Sequence, residues 1–195
     1  MHLNRLLLSL IACSTLLLGA CSQKDSPSAA SQPTKQEVSV DAVATQAKGF
    51  TVGALMSAHT VYVFFDPQCP HCGHLWRASV PLHKKVKFVW VPVAWINAAS
   101  LPQGSALLTA ASPLELMTEH ETSLLTGKGG ISAPSSITPE IEKSIKANTT
   151  LLNSFGAESV PFVVAKNART GQTVSHSGAM TTAALAQWAG LDAPP

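Results

Sequence analysis

The chain has 195 residues, 46% of them hydrophobic and only 12% charged, with a formal net charge of +2. That length holds one packed domain plus flanking sequence, and the composition is that of a globular chain, not a disordered or low-complexity one. So small a net charge leaves no basic footprint, and no nucleic-acid partner is expected.

Residues 1–20 read as an export address. Arg5 supplies a short positive start, and residues 6–18 form an apolar run shorter than the roughly 18 residues of a spanning helix. Leu18-Gly19-Ala20-Cys21 resembles the bacterial lipobox, in which small residues precede the cysteine that receives lipid. Cys21 is therefore expected to carry the lipid, palmitate included, once residues 1–20 are removed. An ordinary signal cut after Ala20, or an uncleaved anchor, is the alternative. By resemblance to known lipoproteins, Ser22 points to the outer membrane over the inner. Any of these routes places the domain on the periplasmic side of the cell envelope, where disulfides form and persist. Residues 21–37, the lipid cysteine and a Ser/Pro/Gln/Lys-rich run, read as a disordered tether. Loss of Arg5 leaves 12 basic against 11 acidic side chains.

Residues 38–195 are expected to form one domain. Val38 to Met56 carries a weak pattern, with Phe50-Thr51-Val52 as a short edge strand. Thr60-Val61-Tyr62-Val63-Phe64-Phe65 reads as a buried strand that Asp66-Pro67 ends. Asp66 either caps the next helix or only terminates the strand. Gly73 to Val80 reads as a helix beginning near Cys69. Lys87 to Trp95 is apolar on both faces, as expected of a parallel strand, with Pro92 near its end. About residues 97–155 are helical. Ser112-Pro113-Leu114-Glu115 has the form of a capping box, and Leu114, Met117, Leu124 and Leu125 suggest a buried stripe. Thr138-Pro139 starts the next helix, with Ile141, Ile145, Leu152 and Phe155 on one side. Val160 to Ala165, the turn at Asn167 to Gly171 and Gln172 to Ser177 form an antiparallel pair. Thr181 to Ala189 closes the chain as a helix ended by Gly190. Trp90, Trp95 and Trp188 are assigned to the core, and His74 and Trp76 read as rim and packing residues.

The chemistry lies in Cys69-Pro70-His71-Cys72. Of four cysteines, Cys13 falls in the address and Cys21 takes lipid, which leaves one close pair. CxxC at a strand-to-helix junction is a redox spacing. On the first turn of the helix, unpaired N–H groups and the macrodipole favour a thiolate at Cys69, the species that attacks disulfides. The ring or N–H of His71 adds to that effect, unless the histidine is merely solvated. Competing readings are a zinc knuckle, which needs four ligands where no second CxxC exists, and a passive structural disulfide. CxxCH haem attachment is excluded, because Gly73 follows Cys72. No metal and no cofactor is expected.

The order β–α–β, helices, β–β–α, with CPHC on the first helix and Pro161 opening the third core strand, resembles an α/β thioredoxin fold (βαβ–ββα) with a helical insertion between its halves. The insertion resembles the periplasmic Dsb family. Phe65-Asp66-Pro67-Gln68-Cys69-Pro70-His71-Cys72 is similar to the start of the DsbC and DsbG catalytic domains, and Pro70-His71 is the dipeptide found in DsbA. The resemblance implies that Cys69 is an exposed nucleophile, Cys72 a buried resolving thiol and Cys69–Cys72 a redox-active disulfide. Pro161 would be a cis proline facing them, with the Val160 backbone turned out to bind extended substrate. The implied activity is thiol–disulfide exchange with exported protein thiols and disulfides, of oxidase or isomerase type, served by a DsbB- or DsbD-like membrane redox partner. Residues 38–58 are too short for the N-terminal dimerisation domain of the isomerases, so a monomer is expected. Val160 before Pro161 also resembles the oxidase. A reductase for a narrow client set, or a non-catalytic binding module with a structural bridge, are the alternatives.

Overall fold

The computed structural model describes residues 35–193; Cys13, Cys21 and the start of the tether lie outside them. Five strands, β1 (Phe50–Gly53), β2 (Thr60–Phe65), β3 (Lys87–Pro92), β4 (Phe162–Lys166) and β5 (Thr173–Ser177), form one sheet in the order β1-β3-β2-β4-β5. β2 is central. It runs parallel to β3, with Val63 beside Trp90, and antiparallel to β4, with Val63 beside Val163. β1 and β5 are antiparallel edges. The helices are α1 (Val40–Gln46), α2 (Pro70–Ser79), α3 (Ser100–Leu108), α4 (Pro113–Leu125), α5 (Pro139–Ser154) and α6 (Thr182–Trp188). None is long and apolar enough to cross a membrane among the described residues.

Alternation along β2 and β3 decides which helix covers which face. Trp90 meets Trp76 of α2 with ring centroids 5.1 Å apart and Phe65 at 5.5 Å, both edge-on. Phe64 points the other way, onto Phe155 at the end of α5, 6.3 Å away. Both phenylalanines of β2 are fully buried, as expected where helices cover both faces of a strand. Removing either ring to Ala would cost about 3 to 5 kcal/mol. The sheet therefore fixes the C-terminal end of β2, and with it the start of α2.

Several local expectations are corrected. α1 forms where the pattern was weak, capped by Ser39, whose Oγ accepts from Ala42 N at 3.4 Å. The capping box at Ser112 does not close: Ser112 has ψ of 78° and no side-chain cap bond, although Pro113 does begin α4. Leu114 is 46% exposed, and the buried face of α4 is Met117, His120 and Glu121. Trp95, expected in the core, is 38% exposed, while Trp76 packs in the core rather than on the rim.

Candidate active site

Cys69 is the N-cap of α2, and Pro70 occupies the first helical position, where its missing N–H costs nothing. The turn before it is closed by Cys69 N donating to Asp66 O at 2.9 Å, and the helix opens with Cys72 N donating to Cys69 O at 3.0 Å. Both Cys69 and Cys72 are free thiols. Cys72 is fully buried. Cys69 is only 4% exposed, less open than the resemblance implies, although Pro70 and His71 beside it are exposed.

The Val160–Pro161 peptide is cis, and Cys69 Sγ donates to Val160 O at 3.4 Å. The structure thus brings Cys69, Cys72, Pro70, Val160 and Pro161 to one place, with His71 on its rim. His74, one turn on, is exposed, with its ring 6.3 Å from that of His71.

The two thiols have opposite acidities. The Cys72 side chain, as a hydrogen-bond donor, lowers Cys69 to about 7 against the opposing effect of burial, and the backbone N–H groups of Cys72 and His71 add to the lowering. Burial pushes Cys72 well above the ordinary thiol range, with the Cys69 and Glu121 charges acting in the same direction. About half of Cys69 is thus ionised near neutral pH, while Cys72 holds its proton.

Three clamps hold the turn that carries Cys69. Asp66 is fully buried and neither caps α2 nor merely ends β2. Its Oδ1 accepts from Gln68 N at 2.8 Å and Ser100 Oγ at 2.7 Å, and its Oδ2 from Trp95 N at 2.7 Å and Ile96 N at 2.9 Å. This ties the β2–α2 turn to the β3–α3 loop. Buried His120 of α4 bonds Pro67 O through Nε2 at 2.7 Å and accepts from Ile131 N at Nδ1, 3.2 Å away. The carbonyl partner fixes the proton on Nε2, and burial lowers the imidazole pKa, so the ring is neutral. Gln68 donates from Nε2 to Gln103 Oε1 at 2.5 Å and Gly129 O at 3.0 Å. Gln103 in turn donates to Gly129 O and Ile131 O.

Sequence reasoning missed His120, Glu121, Gln68 and Gln103. A signal did exist for the first two: His120 and Glu121 stand at i+3 and i+4 from Met117, the positions of the helix face Met117 buries. Glu121 is 1% exposed, and both its carboxylate oxygens lack a hydrogen-bond partner. Burial, then the nearby Cys69, raises its pKa to about 9, with Arg77 opposing.

No family model matches the chain. The thiol:disulfide interchange protein DsbG of Pseudomonas aeruginosa is 29% identical over 138 residues, which is 69% of this chain and 52% of that protein. DsbG of Escherichia coli is 30% identical over 105 residues, 53% of this chain and 42% of that protein. The chain thus spans about half the length of the curated relatives it matches. Among solved structures, the thiol-disulfide exchange protein alpha-DsbA2 of Wolbachia pipientis superposes with a TM-score of 0.57 at 19% identity, over 73% of this chain and 86% of that one. The catalytic domain of Proteus mirabilis ScsC gives 0.59 at 16%, over 77% and 92%. These two share the fold. Sheet order and inserted helices agree with these solved structures: the chain has a thioredoxin fold with a helical insertion, and it is similar in sequence to two thiol:disulfide interchange proteins named DsbG.

Proposed function

We propose that the chain is a thiol–disulfide oxidoreductase of the cell envelope, acting through Cys69 and Cys72 on exported protein thiols and disulfides. The observation that carries this is the split in acidity across one helical turn: Cys69 lowered to about 7 and Cys72 raised far above it. The Cys69 thiolate attacks one sulfur of a substrate disulfide, the substrate bond breaks, and its electron pair leaves on the other substrate sulfur. Cys72 then attacks Cys69 Sγ, expels the substrate thiolate and closes the Cys69–Cys72 bond. In the reverse direction the closed pair gives a disulfide to a substrate dithiol. Pro70 starts the helix that favours the thiolate, His71 lines the rim, and Val160 with Pro161 supplies the backbone beside Cys69 where an extended segment docks.

The same reading attaches the domain to the envelope through lipid on Cys21, after removal of residues 1–20, with the remaining tether leading to a domain from about residue 38. Electrons pass to or from a DsbB- or DsbD-like membrane partner. The test is a trapping experiment in the full chain. Cys72→Ser should accumulate mixed disulfides with exported proteins through Cys69, and Cys69→Ser should accumulate none; trapping by both or by neither would refute the assignment. Cys21→Ser should release the protein from the membrane fraction.

A further inference from the structure

Glu121 is a buried titratable group near the thiols that neither the exchange steps nor the clamps around Cys69 use. Its place depends on a gap. Gly73 directly follows Cys72 on α2, and a Cβ there would lie 2.5 Å from Glu121 Oε2 and 3.0 Å from Leu125 Cγ. Only a glycine lets α4 bring a carboxyl so close to the backbone beside Cys72. A buried polar group without a partner is uncommon in folded proteins and asks for an explanation. Here both oxygens of a buried carboxyl are unpartnered, beside the α2 residue that follows Cys72.

We propose that Glu121, reaching α2 through the space left by Gly73, is the proton donor and acceptor for Cys72, so that an inserted helix supplies the acid–base group of the exchange. This rests on the exchange reading of Cys69 and Cys72. Glu121 makes no direct hydrogen bond to Cys72, and we include one water between them as the carrier of the proton. When an incoming thiolate attacks Cys69 Sγ of the closed pair, the new sulfur–sulfur bond forms and the Cys69–Cys72 bond breaks. Its electron pair goes to Cys72 Sγ, a buried site unsuited to charge, and the Glu121 carboxyl supplies a proton as it becomes carboxylate. In the return step the carboxylate takes that proton back while Cys72 Sγ attacks Cys69 Sγ and the substrate thiolate leaves. No other reactant is needed.

α4 packs against α2, α3 and β1. From α2 and its cap, the titratable or charged groups are Cys69, His71, Cys72, His74 and Arg77; α3 and β1 carry none, and Asp66 closes β2. On α4 itself, Glu115 and Glu119 are exposed and His120 is bonded to Pro67. Glu121 is raised to about 9, so it is protonated at neutral pH, as the donor role requires.

The test is the rate at which dithiothreitol reduces the oxidised full chain from about pH 6 to about pH 10, corrected for the reagent's thiolate fraction. Glu121→Gln keeps the shape and removes the exchangeable proton. It should slow reduction about tenfold or more at neutral pH and converge on the wild type as pH rises past the Glu121 pKa. Glu121→Asp should recover part of the rate. Equal rates for wild type and E121Q at every pH would overturn the proposal while leaving the exchange reading intact. A wild-type pair that cannot be reduced and reoxidised would overturn the exchange reading itself, and this inference with it. Should E121Q not fold, the wild type decides: reduction should perturb the infrared carbonyl band of a protonated carboxyl, and an unperturbed band overturns the proposal.

Discussion

At the scale of single residues, the reactivity of the site depends on one thiol being a better acid than its neighbour three residues away. The Cys72 side chain is the leading cause of the lowered Cys69 pKa. Alkylation of the reduced protein should therefore rise with pH about a midpoint near 7 and label Cys69 alone, because Cys72 is buried and held protonated. Cys72→Ser, which exchanges the thiol donor for a different one, should move that midpoint. A midpoint at the ordinary thiol value, or labelling of both cysteines together, would contradict the assignment. The 4% exposure of Cys69 adds that bulky alkylating reagents should react more slowly than small ones of equal intrinsic reactivity. CPHC was readable in the sequence because cysteine spacing reports its own chemistry. The near-complete burial of Cys69 was not, since its thiol lies against the Val160 carbonyl, 91 residues away.

Elements explain why the turn holds its shape. β2 ends in a carboxylate that accepts four hydrogen bonds, two of them from backbone N–H groups of the β3–α3 loop. Asp66→Ala would strand those donors in a buried place, with a loss of about 3 kcal/mol or more expected in urea unfolding; Asp66→Asn keeps an acceptor and should lose less. Gly130 sits at φ of 90°, and a Cβ there would lie 2.5 Å from His120 Cε1. Gly130→Ala should therefore cost about 1 kcal/mol or more and also displace the ring that holds Pro67 O. Measured stabilities within a few tenths of a kcal/mol of wild type would show these clamps to be incidental. Strands and most helices were legible because apolar periodicity reports burial. The clamps were not, because Asp66, Gln68, Gln103 and His120 are polar residues whose partners are set by tertiary contact. The same periodicity misplaced Leu114 and passed over Glu121, since it assigns buried faces to apolar side chains and α4 buries a carboxyl and an imidazole.

For the molecule as a whole, two of the shifted groups, Glu121 and Cys69, make stability depend on pH in opposite senses. Glu121 is raised from 4.5 to about 9. Its effect is absent as a penalty below pH 4.5 and grows until pH passes the folded value, reaching about 3 kcal/mol by pH 7. Cys69 is lowered from 9.0 to about 7, so the reduced protein gains stability as pH rises from the folded value toward the unfolded one, and loses that gain as pH falls through about 7. Half-buried His83 and buried His120, both lowered, act in the opposite sense to Glu121 between mildly acidic and neutral pH, so in chemical denaturation of the reduced chain E121Q should gain stability relative to wild type as pH rises through that range; an identical pH dependence for the two would contradict the burial of an ionisable Glu121. The βαβ–ββα order was readable from end to end because each half is a local unit. How the inserted helices lean on α2 was not, since it depends on Gly73 having no side chain to exclude Glu121. The central claim is that Cys69 and Cys72 are a working redox pair, and the most direct test is the equilibrium of the full chain against mixtures of reduced and oxidised glutathione. The account predicts a reversible two-electron transition in which the Cys69 thiol disappears on oxidation and returns on reduction. A pair that stays locked in one state across every accessible glutathione ratio would contradict it.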